Sequence, residues 1–280
     1  MAITTTVITG ATSGIGEAVA FALAKKDHAL YLLVRNVQKG EEVKQRVVKE
    51  TGNQDIHIIY CDLTDLATIV AAAEQLKSKL FNVQVLINNA GGMFNKFKLT
   101  KDGFETTFQL NHLGHFLLTE RLMPLLEKGH ARIINVSSAM HKTGKLDVEH
   151  INDRQRYAAT KAYSNSKLFN IYFTKSLAGR YASKGITAFA LHPGVVKTNF
   201  NTKLSGGLKF FFSLATPFMI SAEKGAQTIV YLATAQKLQS KSGGYFVKQK
   251  AVRPAKIAND EAAREKLWSL SDNMVAKFNT

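Results

Sequence analysis

Two tyrosine–lysine pairs stand out for the chemistry that their spacing permits: Tyr163 with Lys167, and Tyr157 with Lys161. Each pair is four positions apart, which on a helix places both side chains on one face. A free phenol titrates at about 10, too high for a base at neutral pH. An ammonium held beside it favours the phenolate, so such a pair can be tuned to give and take a proton. Spacing alone does not choose between the two pairs. Ser138, ending Asn135-Val136-Ser137-Ser138, offers a hydroxyl that can hold an oxygen on which charge develops. A serine after a strand is equally a cap or a turn.

A second constellation handles phosphate. Thr9-Gly10-Ala11-Thr12-Ser13-Gly14-Ile15-Gly16 joins the apolar run Val7-Ile8 to an amphipathic stretch from Ile15 to Lys26. The three glycines permit a tight turn, a close approach of backbone to pyrophosphate, and close helix–sheet packing. A helix starting near Ile15 would turn its free N–H groups and positive end toward the phosphates. The next apolar run ends Val34-Arg35-Asn36, with Lys39 close behind and no acid. An acid there would bind the ribose 2′-hydroxyl of NAD, whereas a base accommodates the 2′-phosphate of NADP. Arg35's fork of donors suits phosphate, so NADP is the expected cofactor and NAD the alternative. An arginine stacked on adenine, or capping a loop, is the plainer reading.

Thr-Gly-x-x-x-Gly-Ile-Gly resembles the nucleotide fingerprint of the short-chain dehydrogenase/reductase family. Asn88-Asn89-Ala90-Gly91 resembles its second signature. Asn111 in Asn111-His-Leu-Gly-His-Phe116, Ser138, Tyr163-Ser-Asn-Ser-Lys167 and His192-Pro193-Gly194 follow in the family's order, over residues from about 5 to 198. The resemblance selects Tyr163 over Tyr157. It implies that Gly10, Thr12, Ser13, Gly14, Ile15 and Gly16 bind the phosphates, with Arg35 and Asn36 beside the adenosine ribose. Asp62 and Leu63 would contact adenine, and Asn89, Ala90 and Gly91 would line the cofactor. Pro193 and Gly194 would turn the chain under the nicotinamide, with the Val196 backbone and the Thr198 hydroxyl holding its carboxamide. Lys167 would lower the Tyr163 pKa and reach the nicotinamide ribose, while Asn111 retains a water that relays protons to it. The implied activity is interconversion of a carbonyl and an alcohol, with Tyr163 as general acid/base and Ser138 orienting the substrate oxygen.

The long stretch between Ser138 and Tyr163 resembles the retinol-dehydrogenase-like branch, which implies a hydrophobic small-molecule substrate. Gly206–Met219 is apolar and glycine-hinged, reading as a lid over about residues 199–221 that excludes water. Helix core or a dimer contact is the alternative. The resemblance also implies a homodimer or homotetramer. The alternative from another class is a non-catalytic dinucleotide-binding regulatory or scaffold protein. Ser138, Tyr163 and Lys167 argue against it, because packing requires none of the three.

These groups need a scaffold, and the sequence describes one. Ala29–Val34, Ile56–Tyr60, Val85–Ile87, Arg132–Val136, Thr187–Leu191 and Gly244–Val247 are short apolar runs. Between them lie helical patterns, including Glu41–Glu50, Asp65–Leu80, Phe104–Glu127, Ala158–Ser183 and Ala222–Thr234. Continuous apolar strands indicate a sheet buried on both faces. The alternation predicts a Rossmann-type doubly wound α/β sheet of about seven mainly parallel strands, with all 280 residues in one domain. The segment after Gly243, including a helix-like Asp260–Phe278, carries no motif.

Composition narrows the classes. One cysteine, Cys61, excludes an internal disulfide and fits a reducing compartment; its apolar setting predicts a buried hydrophobe rather than a reactive thiol. His112, His115 and His141 form no metal-ligand spacing, and His192 at a strand end reads as structural. The net charge of +16 is spread along the chain without a basic block, which argues against specific nucleic-acid binding. Peripheral contact between an anionic membrane and Phe210-Phe211-Phe212 is a further expectation. The N-terminus has neither a signal peptide pattern nor the hydrophobic anchor of several relatives, so a soluble, cytoplasmic chain is expected.

Overall fold

The apolar runs become strands and the amphipathic stretches helices, in the predicted alternation. The computed structural model describes residues 3–196 and 219–278. Strands β1 (Thr5–Thr9), β2 (Ala29–Val34), β3 (Ile56–Tyr60), β4 (Val85–Asn88), β5 (Arg132–Val136), β6 (Thr187–His192) and β7 (Tyr245–Val247) are parallel. β8 (Lys250–Val252) adds an antiparallel edge, giving one eight-stranded sheet in the order β3-β2-β1-β4-β5-β6-β7-β8. The eighth strand exceeds the expected seven. Its three residues are exposed, and its hairpin turns through Lys248 and Gln249 at φ of 49° and 64° rather than through an Asn-Gly pair. Neither feature signals a strand.

Helices α1 (Gly14–Ala24), α2 (Val37–Thr51), α3 (Leu66–Lys79), α4 (Thr106–Phe108), α5 (Gly114–Lys128), α6 (Ala159–Arg180), α7 (Ala222–Thr234) and α8 (Glu261–Val275) cover both faces. Successive strand residues point to opposite sides, so Val7 and Leu86 join one core while Ile8 and Ile87 join the other. α3, α5, α6 and α8 close the first core; α1, α2 and α7 close the second. This double burial is why the strands carry no polar alternation.

One predicted helix is broken. Phe104–Glu127 resolves into α4, a π-helical turn at Gln109–Leu113, and α5. The buried Glu105 carboxylate accepts the N–H groups of Thr107 and Phe108 at 2.8 and 2.9 Å, which fixes the start of α4. Such single π turns concentrate at functional sites, and this one carries Asn111. Strand order reverses between β1 and β4, opening a crevice beyond the carboxyl ends of the strands.

Candidate active site

The glycine-rich turn leaves β1 at the mouth of this crevice. Gly10 and Gly14 adopt φ of 69° and 58°, and a Cβ on Gly16 would fall 2.2 Å from the Gly10 carbonyl oxygen. No residue with a side chain fits there. Ser13 takes the N-cap position of α1 with extended backbone, yet its side chain makes no capping bond. The hydroxyl and the first N–H groups of α1 are thus available to an anion, the arrangement that a pyrophosphate requires.

Asn89 is tied to the glycine-rich turn itself. Its side chain turns inward, donating to the carbonyls of Thr9 and Gly10 at 2.9 and 3.2 Å. The Thr9 hydroxyl answers by accepting the N–H groups of Asn89 and Ala90 at 2.9 and 3.0 Å. The Asn89 side chain is therefore a latch on the turn. Arg35 is exposed and carries no hydrogen bond or ion pair among the described residues. Asn36 beside it caps α2 by accepting the Lys39 N–H at 2.9 Å. Asp62 holds Thr64 through its backbone N–H and its hydroxyl, and Leu63 is buried.

β5 ends at Ser137-Ser138, and α6 passes above it. The Tyr163 phenol shares a hydrogen bond with the Ser138 hydroxyl, and burial pushes its pKa up to about 12 despite that bond. Lys167 is 3% exposed, donates to the Val136 carbonyl at 3.1 Å, and lies 5.4 Å from the Tyr163 ring centroid. Burial pushes its own pKa down to about 8. The sequence led to the expectation that Lys167 would lower the Tyr163 pKa. Here desolvation outweighs the bond from Ser138, so Tyr163 is a phenol at neutral pH. That is the proton-donating form.

Asn111 donates to the Gly92 carbonyl and to the Ser166 hydroxyl, both at 2.9 Å, and accepts the Gly92 N–H at 2.8 Å. It pins the turn after β4 against α6. A Cβ on Gly91 would fall 3.1 Å from Asn111 Oδ1 and 3.2 Å from Lys167 Nζ. Both polar atoms therefore border one small space that glycine keeps open. Pro193, Gly194 and Val196 follow β6 at the same end of the sheet, with Gly194 at φ 98°. Thr198 and nearly all of the expected lid lie outside the described residues.

The family described as short chain dehydrogenase matches residues 4–208. The chain belongs to that family. Among curated proteins, this short-chain dehydrogenase is 40% identical to mouse (Mus musculus) retinol dehydrogenase 12, covering 95% of this chain and 84% of that one. It is 39% identical to human (Homo sapiens) retinol dehydrogenase 13, covering 97% and 84%. A crystal structure of an uncharacterised protein from Mycobacterium paratuberculosis shares 32% identity with a TM-score of 0.78, covering 98% and 93%. The NADPH-bound carbonyl reductase from chicken fatty liver shares the fold at 23% identity and a TM-score of 0.69, covering 90% and 99%.

In this short-chain dehydrogenase several supporting residues escaped the sequence reading. The Ser137 hydroxyl donates to the Lys167 carbonyl at 2.7 Å, and Asn170 donates to the Val136 carbonyl at 3.0 Å, so β5 and α6 are bolted together at the site. Asn88, Asn135, Thr119 and Thr174 form a buried chain of hydrogen bonds beneath. A lone asparagine inside the apolar run Arg132–Val136 was the available signal. His112, His115 and His141 are buried with separate partners, Ser271, Thr9 and Ser138. Cys61 is buried, and its thiol is pushed up to about 12.

Proposed function

We propose that this protein is an NADP(H)-dependent oxidoreductase that interconverts a carbonyl and an alcohol on a hydrophobic small molecule. The observation that carries the reading is the meeting of the Ser138 hydroxyl with the Tyr163 phenol beside a buried Lys167, at the crevice that the glycine turn opens. The bound nicotinamide supplies or accepts the hydride. Gly14 and Ile15 offer backbone N–H groups to its phosphates, with the Ser13 hydroxyl; Arg35 takes the 2′-phosphate. Ala90, Gly91 and the Pro193–Val196 turn border the nicotinamide half.

In the reducing direction Ser138 steadies the substrate oxygen and Tyr163 delivers its proton there. The Lys167 ammonium stabilises the phenolate left behind, and a proton returns through the space shared by Lys167 and Asn111. Oxidation runs the same steps backwards. The likeness to retinol dehydrogenases supports an apolar substrate. Among the described residues no helix is long and apolar enough to cross a membrane. The proposal places the enzyme in the cytoplasm as a homodimer or homotetramer.

Cofactor consumption with a panel of long-chain aldehydes and ketones tests the reading. NADPH should be used in preference to NADH. Arg35→Ala should narrow that preference tenfold or more, the effect of about 1.5–3 kcal/mol for a hydrogen bond to a charged group. Tight NADPH binding without turnover on any substrate would instead favour the regulatory or scaffold reading. A preference for NADH would overturn the role of Arg35.

A further inference from the structure

The residues after Gly243 carry no motif, yet they reach the candidate site through one side chain. His141 is fully buried in the 3-10 turn Ala139–Thr143 that follows Ser138. The Ser138 carbonyl accepts two bonds from it, one from the His141 backbone N–H at 3.1 Å and one from ring Nδ1 at 2.7 Å. On the other side of the ring, Nε2 accepts the Ala255 N–H at 3.1 Å. An amide N–H can only donate and a carbonyl can only accept, so the ring is neutral with its proton on Nδ1. Both ring nitrogens are satisfied. The ring edge also packs on Tyr245 of β7, with centroids 4.8 Å apart.

Ala255 is itself held. The Ala258 N–H donates to its carbonyl at 2.9 Å, Ala258 is fully buried, and the Tyr172 hydroxyl of α6 donates to the Ile257 carbonyl at 2.9 Å. The ring therefore bridges a clamped C-terminal segment and the peptide that carries Ser138. Two bonds to one carbonyl restrain the Ser138–Ala139 peptide, and so limit the backbone rotation that aims the Ser138 Cα–Cβ bond. The Ser138 hydroxyl then has its Met140 N–H contact at 3.2 Å and its bond to Tyr163. We propose that His141 is a positioning residue that transmits the placement of the C-terminal segment to Ser138, setting how the Ser138 hydroxyl meets Tyr163 and the substrate oxygen. The proposal rests on the reading of Ser138 as the group that holds that oxygen.

Three substitutions separate the two halves of the bridge. His141→Gln keeps an acceptor toward Ala255 but no donor at the Nδ1 position, and His141→Asn does the converse. Ala255→Pro deletes the N–H where φ is −55°, a value that proline adopts, and leaves His141 untouched. In NADPH-driven reduction, His141→Gln should lower kcat roughly 10-fold to 100-fold, the scale of a small misplacement. The KM for NADPH should hold, and the solvent deuterium isotope effect on kcat should rise because proton delivery slows. His141→Asn and Ala255→Pro should show the same signature with smaller losses. In a Ser138→Ala background, His141→Gln should cause no further loss. Equal losses in both backgrounds, or a lower kcat with an unchanged isotope effect, would overturn the proposal.

A readout independent of turnover separates this proposal from the functional reading. The 13C resonance of Tyr163 Cζ, assigned through Tyr163→Phe, should move in His141→Gln in the same direction as in Ser138→Ala. If it moves while the wild-type protein reduces nothing, the enzymatic reading falls and the positioning role stands. If Ser138→Ala moves it and His141→Gln does not, the positioning role is wrong.

Discussion

Tyr163–Lys167 and Tyr157–Lys161 share one spacing and lie within a few residues of each other, yet they occupy opposite environments. Tyr157 precedes α6; its hydroxyl donates to the Phe94 carbonyl, and its ring meets Phe97 edge-on at 5.6 Å. Lys161 has 41% of its side chain exposed and pairs with Asp147 at 2.6 Å. Tyr163 instead shares its hydroxyl with Ser138, while Lys167 is buried and, among the described residues, donates to the Val136 carbonyl and lies over the Tyr163 ring. The first pair fastens a loop and neutralises a carboxylate. The second keeps a phenol and an ammonium in low dielectric, where small changes of charge have large consequences. Environment, not spacing, separates fastening from chemistry.

The comparison is broken most directly by paired hydroxyl deletions. Tyr163→Phe should lower kcat by on the order of 10²–10⁴, the contribution of a general acid. Tyr157→Phe should leave kcat nearly unchanged and lower stability by about 1 kcal/mol through its lost hydrogen bond. Comparable losses of kcat in both variants would erase the distinction.

Lys167→Met should sharpen it from the other side. Turnover should fall by on the order of 10² while Tm rises by a few degrees. The sign follows from linkage. A base whose folded pKa is depressed leaves the unfolded chain holding more protons between about 8 and the free value of 10.5. The buried ammonium therefore costs stability in full below about pH 8, and the cost is relieved as pH rises toward 10.5. Thermal melts across that range should show the relief in the wild type and its absence in Lys167→Met. A lower Tm in the variant at neutral pH would refute this account.

The pH profile of reduction gives a smaller effect. The rate should decline as Lys167 loses its proton at about pH 8, and Lys161→Ala should leave that limb in place. The smallest effect is on stability: Lys161→Ala should change it by less than about 1 kcal/mol, as for other exposed ion pairs. The Lys161 ammonium, with the His150 ring, holds the Asp147 carboxyl below its usual range. The depressed acid stabilises the fold above its unfolded pKa and loses that contribution as pH falls through the folded one. The variant should therefore lose part of the acid-limb slope in chemical denaturation.

The scaffold was largely legible because it obeys local rules. Continuous apolar runs announced β1 to β7, and the turn Thr9–Gly16 announced its own backbone geometry. What the sequence concealed depends on partners far along the chain. The bonds of the Asn89 side chain to Thr9 and Gly10 could not be read from its place in Asn88–Gly91. His141 offers the sequence no recognisable partner; Ser138 and Ala255 close around it only in the fold. The π turn at Gln109–Leu113 leaves no periodic mark, because one added residue in an apolar helix shifts the buried face by only a fraction of a turn. The raised Tyr163 pKa was hidden for a related reason: charge proximity can be guessed from spacing, whereas desolvation depends on everything packed around the group.

The Thr9–Asn89 latch has a consequence for how the molecule comes into being. Its two halves are 80 positions apart in sequence, and β4 must dock beside β1 before they meet. Closing so long a loop comes late and slowly in folding. A growing or partly folded chain that holds β1, α1 and β2 would have the glycines but not the shape that they serve. Added dinucleotide should then stabilise the finished fold by mass action and leave its formation rate unchanged.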